Sequence, residues 1–406
     1  MNILLVNKFH YRGDGAARAY FDTARILEER GHRVAFFSMK DSRNEPTPWE
    51  KYFVENVDYH TNPSIAQKWR MAKNIWWNRE AQRNLEKLLE EFRPDAAHLH
   101  VFYHQISPSI IATLTKRGIP IVMTLHDYKL ICPNYSMFVR GRIWEGGAAR
   151  CVLDRCVKDS FAKSAVCAIE RVLHATLGIY NKINISLSPS EFLKKKFLEY
   201  GFRGEIRVVS HPITKHSLPF SEREKEVETS GFFFAGRLSE EKGVDVLLRA
   251  IALLPGAILR IAGDGPKRGS LETLARELRI EDHVEFLGKL PFEKVQEEIA
   301  SAQAVVVPSV WYENMPYAVL EALAAGAVVV ASDIGGIPER IRDRENGFLF
   351  EAGNPEALAE VLHRLDTENL ETIRKNARES VADLTEERYY EEISDAYRCI
   401  GANLDK

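Results

Sequence analysis

Glu313 and Glu321 stand eight residues apart in the segment Glu313-Asn314-Met315-Pro316-Tyr317-Ala318-Val319-Leu320-Glu321, one before a proline turn and one inside an amphipathic run. Ala304 to Val307 leads in and Ala327 to Ala331 leads out, so the unit reads strand, loop, helix, strand. That order places Glu313 at the carboxyl end of a strand, where open α/β sheets bind ligands. Glu321 falls about one turn into the helix, whose first turns carry N–H groups suited to an anion. Carboxylates suit sugar or ribose hydroxyls, and a helix start suits a phosphate. Together these residues point to a sugar-nucleotide site.

Five further segments carry candidate chemistry. Gly236-Arg237-Leu238-Ser239-Glu240-Glu241-Lys242-Gly243 follows an apolar strand and holds two cations five residues apart. Arg237 can grip a phosphate bidentately, while Lys242 acts as a mobile point charge. The same loop also reads as a solvated turn paired with its own Glu240 and Glu241; its place above a strand end favours the functional reading. Gly263-Asp264-Gly265-Pro266 and Gly335-Gly336-Ile337-Pro338-Glu339 allow close backbone approach, but such a loop alone is more often a plain turn than a ligand site. Gly13-Asp14-Gly15 precedes the first helix like a shortened dinucleotide fingerprint. Arg18 stands where the third glycine belongs, however, and the second strand ends Phe36-Phe37-Ser38 without an acid, which disfavours NAD. His126-Asp127 closes the strand Ile119 to Leu125, where an imidazole can donate to a hydroxyl or phosphate. His98, His100 and His104 read as structural histidines. No serine elbow, HExxH or Asp-x-Asp triplet is present, so neither a serine hydrolase nor a metal-held diphosphate is indicated.

The elements that must position these loops alternate along the chain. Asn2 to Val6, Ala16 to Arg30 and His32 to Ser38 open with βαβ. Ile185 to Leu187 and a helix from Glu191 continue the pattern. A second series begins at Gly231, with strands expected at 231–235, 257–262, 284–287, 304–307, 327–331 and 347–350, and helices at Val244–Leu254 and Ser270–Leu278. Such alternation predicts parallel sheets covered on both faces. At 406 residues the chain exceeds one ordinary core. It reads as an α/β protein of two facing Rossmann-like domains with a cleft between them: 1–213, then 214–384 after a polar connector at Thr214 to Thr229, and a final helix in 385–406.

Bulk composition narrows the classes. A net charge of −3 gives no pull toward nucleic acid. No leader pattern opens the chain and no apolar run reaches the ~20 residues of a membrane span, so a cytoplasmic protein is expected. Lys194-Lys195-Lys196 and the run Trp69-Arg70 to Trp76-Trp77-Asn78-Arg79 can rest on an anionic bilayer, giving a peripheral membrane contact, or serve as snorkelling lysines and core tryptophans. Five cysteines, Cys132, Cys151, Cys156, Cys167 and Cys399, argue against a disulfide framework, and their spacings lack a zinc knuckle. Buried inert thiols are the expectation and no metal ligand is assigned.

Arg237 with Lys242, then Gly263-Asp264-Gly265-Pro266, then Glu313 with Glu321, occur in order at successive strand ends. This resembles the retaining glycosyltransferases of family 4 (glycosyl transferases group 1) with the GT-B fold. Gly13-Asp14-Gly15-Ala16-Ala17 is similar to the family's glycine-rich loop, with Asp14 intervening in the usual pair. Leu125-His126-Asp127-Tyr128 followed by Cys132-Pro133 is similar to a subset of it. The resemblance implies that Arg237 and Lys242 hold the donor diphosphate and Glu321 the ribose. Glu313 with the amides of Asn314, Met315 and Tyr317 positions the sugar. His126 contacts the sugar, Gly13 and Gly15 serve the glycine loop, Gly263 and Asp264 form the next loop, and Leu287 with Lys289 lies beside the base. It implies a UDP-, GDP- or ADP-linked sugar as donor, a glycan or lipid-linked acceptor, and no obligatory metal or cofactor; the oligomeric state is left open. The final helix is expected to cross back onto the first domain. The stretch between Cys132 and Cys167 is expected to set acceptor choice. A GT-B phosphorylase, an epimerase and a non-catalytic sugar-nucleotide binder are the competing readings.

Overall fold

A computed structural model describes residues 1–56, 74–214 and 231–402. Trp69 and Arg70, and the connector expected at 214–229 apart from Thr214, lie outside the described residues. The chain divides into two compact units. One comprises Met1–Met137, Glu145–Ser210 and the C-terminal stretch from Glu386; the other comprises Phe138–Trp144 and His211–Thr385.

The first unit runs β1 (Asn2–Val6), α1 (Gly15–Glu29), β2 (Arg33–Phe37), α2 (Arg79–Phe92), β3 (Ala96–Leu99), α3 (Ser109–Lys116) and β4 (Ile121–Thr124). A hairpin, β5 (Phe138–Val139) and β6 (Arg142–Ile143), interrupts it and groups with the second unit. The chain returns through α4 (Ala148–Leu153), α5 (Phe161–Thr176), β7 (Ile185–Ser188), α6 (Glu191–Glu199) and β8 (Glu205–Val208). The sheet order is β2-β1-β3-β4-β7-β8, all parallel. Asp14 caps α1, its carboxylate accepting from the Ala17 amide at 2.8 Å.

Strand β3 is where the reading of residues alone saw only histidines. His98 sits fully buried in it because both ring nitrogens find partners, the Tyr397 and Thr124 hydroxyls, each at 2.7 Å. A satisfied imidazole can therefore fill a place the pattern reserves for an aliphatic side chain.

In the second unit the elements are β9 (Phe232–Ala235), α7 (Val244–Ala252), β10 (Leu259–Ala262), α8 (Arg268–Glu277), β11 (Val284–Gly288), α9 (Phe292–Ser301), β12 (Ala304–Val307), α10 (Tyr317–Ala324), β13 (Val329–Ser332), β14 (Phe348–Phe350), α11 (Pro355–Arg364) and α12 (Leu370–Glu379). Its parallel order is β11-β10-β9-β12-β13-β14. The run Ala-Val-Val-Val of β12 is buried throughout because both faces of the sheet are covered. Phe232, Val306 and Val330 face one apolar cluster, while Phe233, Val305 and Val329 face another. The last helix, α13 (Glu386–Cys399), belongs to the first unit and contributes Tyr389, Ile393, Ala396 and Tyr397 to its core.

One expectation is overturned. Cys151 and Cys156 form a disulfide. The short helix α4 and the turn after it bring their Cα atoms to 4.8 Å, within bridging reach. An odd cysteine count says nothing about such local geometry. Cys132 and Cys167 are buried free thiols, and Cys399 is exposed. Among the described residues, no helix is long and apolar enough to cross a membrane.

Candidate active site

In the second sheet, β9 lies between β10 and β12, so the connections after β9 and after β12 leave on either side of the point where strand order reverses. Crevices at such switch points, above the carboxyl strand ends, are where doubly wound sheets take ligands. The loop after β9 carries Arg237 and Lys242; the loop after β12 carries Glu313. Lys242 Nζ stands 2.7 Å from Glu313 Oε1, and the Ser309 hydroxyl donates to that same oxygen at 2.6 Å. Lys242 also lies over the Trp311 ring, 5.4 Å from its centroid.

Glu313 is buried, and burial alone would raise its carboxyl pKa. The Lys242 charge and the hydrogen bonds from Lys242 and Ser309, with the Trp311 indole nearby, outweigh burial and hold it below the usual carboxylate range. It is therefore an anion at neutral pH. The ammonium has three N–H donors and spends one on Glu313, so the pair fixes a cation above the strand ends with donors to spare.

Main-chain bonds lock the neighbouring loops together. Leu238 N–H donates to the Asp264 carbonyl at 3.1 Å, Lys267 N–H to Leu238 at 2.9 Å, and Val310 N–H to Glu241 at 3.0 Å. Gly263 N–H donates to Gly288 at 2.7 Å, and Gly336 N–H to the Glu313 carbonyl at 2.7 Å. Gly263 has φ +137°, and a Cβ there would fall on the Gly236 carbonyl oxygen, so the approach of the two loops requires glycine. Gly335, at φ +65°, likewise lies against the Glu313 backbone. The two glycine loops, which alone read more often as plain turns, are thus the supports of the Arg237–Lys242 loop and of Glu313. Asp264 accepts from the Gly265 amide at 2.8 Å.

Arg237 is exposed on its loop, Leu287 is partly buried at the end of β11, and Lys289 is exposed just beyond. Met315 and Glu321 are buried, with Glu321 on α10, and Asn314 is partly buried. The Tyr317 ring stacks on His211, centroids 4.9 Å apart.

The remaining candidates belong to the first unit. His126 follows β4, half-buried, its Nε2 2.9 Å from His100 Nδ1. The rings of His98, His100 and His126 stack in series at 4.7 and 5.2 Å. Burial first, and the neighbouring His98 second, push His126 down to about 3. It is neutral at pH 7 and can offer hydrogen bonds rather than charge. Burial raises Asp127 to about 6, against the pull of the Lys129 amide, which donates to Oδ1 at 2.9 Å, and of nearby lysine charges. Gly13 and Gly15 flank Asp14, which is committed to capping α1.

Comparison with known proteins fixes the family. Residues 13–215 match the model described as Glycosyltransferase Family 4, and residues 220–380 match Glycosyl transferases group 1. The chain belongs to glycosyltransferase family 4. Among curated relatives, this glycosyltransferase is 25% identical over 364 residues to an uncharacterized 42.6 kDa protein of the Klebsiella pneumoniae cps region, covering 86% of this chain and 90% of that one. It is 29% identical over 353 residues to glycogen synthase of Mycobacterium tuberculosis, covering 82% and 78%. Among solved structures it resembles sucrose-phosphate synthase from Thermosynechococcus elongatus, with TM-score 0.75, 19% identity and 99% of each chain covered. It also resembles Anabaena HepE in complex with UDP and glucose, with TM-score 0.72, 17% identity and 98% and 100% covered. The fold is GT-B.

Several residues of the candidate site belong to no motif in the sequence. Ser309 precedes Glu313 by four positions in a loop just past a strand, and Trp311 lies between them; neither type is diagnostic alone. His211 shows no signal at all until Tyr317 is placed beside it.

In the first unit, Lys129 Nζ lies 2.7 Å from Glu170 Oε2, both groups buried, with His104 Nε2 at 3.4 Å from the same oxygen. Burial would raise Glu170, but Lys129 and then His104 hold it down to about 2. The ligand atoms of His104, Cys167 and Glu170 lie within 4.8 Å of one another. Lys129 already supplies the counter-charge there. Burial pushes the Cys132 thiol up to about 12, which makes it inert.

Proposed function

We propose that this glycosyltransferase moves a hexosyl group from a nucleotide-diphosphate sugar to a glycan or lipid-linked acceptor, with retention of anomeric configuration. The observation that carries the reading is the Lys242–Glu313 pair set across the switch point of the second sheet. A leaving nucleoside diphosphate gathers negative charge as the glycosidic bond breaks. Fixed positive groups at that place lower the barrier. Lys242, oriented by Glu313 and Trp311, and Arg237 on the same loop supply that charge, so the chemistry needs no divalent ion.

Glu321, one turn into α10, is assigned to the ribose hydroxyls. Glu313 and the amides of Asn314, Met315 and Tyr317 are assigned to the sugar, and Pro316 has no N–H to contribute. Leu287 and Lys289 are assigned to the base, and neutral His126 to a sugar hydroxyl. The acceptor hydroxyl attacks on the face the diphosphate leaves, and a phosphate oxygen takes its proton. The UDP and glucose bound to HepE, and the colanic acid and lipopolysaccharide core biosynthesis named for other relatives, support a nucleotide-sugar donor and a polysaccharide or glycolipid product.

The test is release of nucleoside diphosphate from a panel of nucleotide sugars, preceded by a thermal-shift screen with UDP, GDP and ADP. One donor should turn over, and Lys242→Ala should lower kcat by about 100-fold or more under conditions where the variant is still folded, although the loss of its partner by buried Glu313 lowers the melting point as well. Unchanged turnover in that variant removes Lys242 from the mechanism.

A further inference from the structure

His100 reads as a structural histidine in the sequence, yet its ring is hydrogen-bonded to the one imidazole assigned to the substrate. It follows His98 of β3 by two positions, so the two rings leave the same side of an extended chain. The His100 amide donates to the Val6 carbonyl at 2.8 Å and carries the ladder one step past the strand. Strand β4 runs parallel beside β3, with His98 opposite Val122, and His126 comes two residues after its end.

His100 has little freedom to turn. Beneath it, His98 is pinned at both nitrogens by Tyr397 and Thr124, and the two rings lie 4.7 Å apart with planes 21° from parallel. The Tyr20 ring meets His100 edge-on at 5.6 Å, and its own hydroxyl is engaged with His10 Nδ1 at 2.9 Å.

His100 Nδ1 and His126 Nε2 are 2.9 Å apart, the ring centres 5.2 Å, and the planes 23° from parallel. These values set both nitrogens near the line between the rings, where an in-plane N–H meets an in-plane lone pair. Such a contact holds one proton; two would clash, and none would leave lone pairs facing each other. A neutral imidazole carries its proton on one nitrogen, so the partner at Nε2 decides the state of Nδ1. Were His126 the donor, its Nδ1 would be a bare acceptor. With His100 as donor, His126 carries its proton on Nδ1 and donates from there. Neutral at pH 7, His126 has no second proton to serve both nitrogens.

We infer that His100 is a positioning residue for the transfer reaction: its Nδ1–H donates to His126 Nε2, fixes that ring, and holds it as the tautomer that donates from Nδ1 to the donor sugar. This rests on the assignment of His126 to a sugar hydroxyl, and it adds the residue that makes His126 a donor.

The test uses the full-length protein isotope-labelled at the histidine nitrogens, with the His126 signals identified by their loss in His126→Ala. Nitrogen–proton correlation spectra of the unaltered protein should show His126 protonated at Nδ1. His100→Phe keeps an aromatic ring on His98 but offers no donor, and should move the His126 proton toward Nε2. The same variant should lower kcat about tenfold, the loss of one hydrogen bond. His100→Asn, whose amide N–H can stand in for Nδ1–H, should recover most of that loss. In a His126→Ala background, His100→Phe should cost nothing further, because it acts only through that ring. Protonation of His126 at Nε2 in the unaltered protein overturns the inference, as does a full additional loss in the His126→Ala background. Undiminished turnover by His126→Ala has a different meaning: it removes His126 from the mechanism, and the role of His100 falls with it.

Discussion

At the scale of single residues, the site is a lesson in what a carboxylate costs when buried and what makes it tolerable. Glu313 is anionic only because Lys242 and Ser309 share its Oε1. Ser309→Ala removes a bond to a charged group and should cost about 1.5–3 kcal/mol in chemical denaturation. It should also reduce turnover less than Lys242→Ala does, since the cation remains; equal loss would give Ser309 a direct role.

Glu170 offers a pH test. Its carboxyl sits near 2 in the folded chain against an ordinary 4.5, so its contribution is present above pH 4.5 and is lost as pH falls toward 2. Glu170→Gln should flatten the acid limb of stability against pH in that window and destabilise at pH 7 by about 3–5 kcal/mol, because Lys129 is left buried and unpaired. An unaltered acid limb would show that the pair is not intact in solution. That Arg237, Lys242 and Glu313 sit on loops after strands, and Glu321 on the helix that follows, was legible from the alternation of apolar runs. Ser309, Trp311 and His211 were not, since their parts are defined by three-dimensional neighbours and by no pattern of their own.

Among elements, the alternation of apolar runs located β12 to the residue and placed the other strands of the second sheet within one or two positions. Strands buried on both faces write themselves as unbroken Val, Phe and Ala. Strand β3 stayed hidden because His98 interrupts its run, and α5 because its buried side carries Ser164, Glu170 and His174 in place of an apolar face. Helix α13 illustrates how an element remote in sequence supports such an exception: the Tyr397 hydroxyl meets His98 Nδ1 at 2.7 Å, and the Tyr389 hydroxyl meets Thr23 at 2.7 Å. Tyr397→Phe leaves one buried ring nitrogen without its partner and should lower stability by about 1–3 kcal/mol, read as a shift in the denaturation midpoint. No shift would mean that water replaces the hydroxyl at that nitrogen.

For the whole molecule, each unit carries its own sheet and its own apolar core, and the groups assigned to the donor nucleotide belong to the second unit. Hydrogen exchange with and without the matching nucleoside diphosphate should therefore slow at 236–243, 263–266 and 313–321. Protection confined to the first unit would refute the assignment.

The mutual stitching of the loops above the second sheet has a consequence for descent. Because Leu238, Asp264, Glu241, Val310, Gly288 and Glu313 hold one another through peptide groups, the scaffold is indifferent to most side chains it displays. An exposed position such as Lys289 can be exchanged by mutation with little disturbance of its surroundings. A chain constructed this way can be redirected to a new substrate in small steps, each of them still folded.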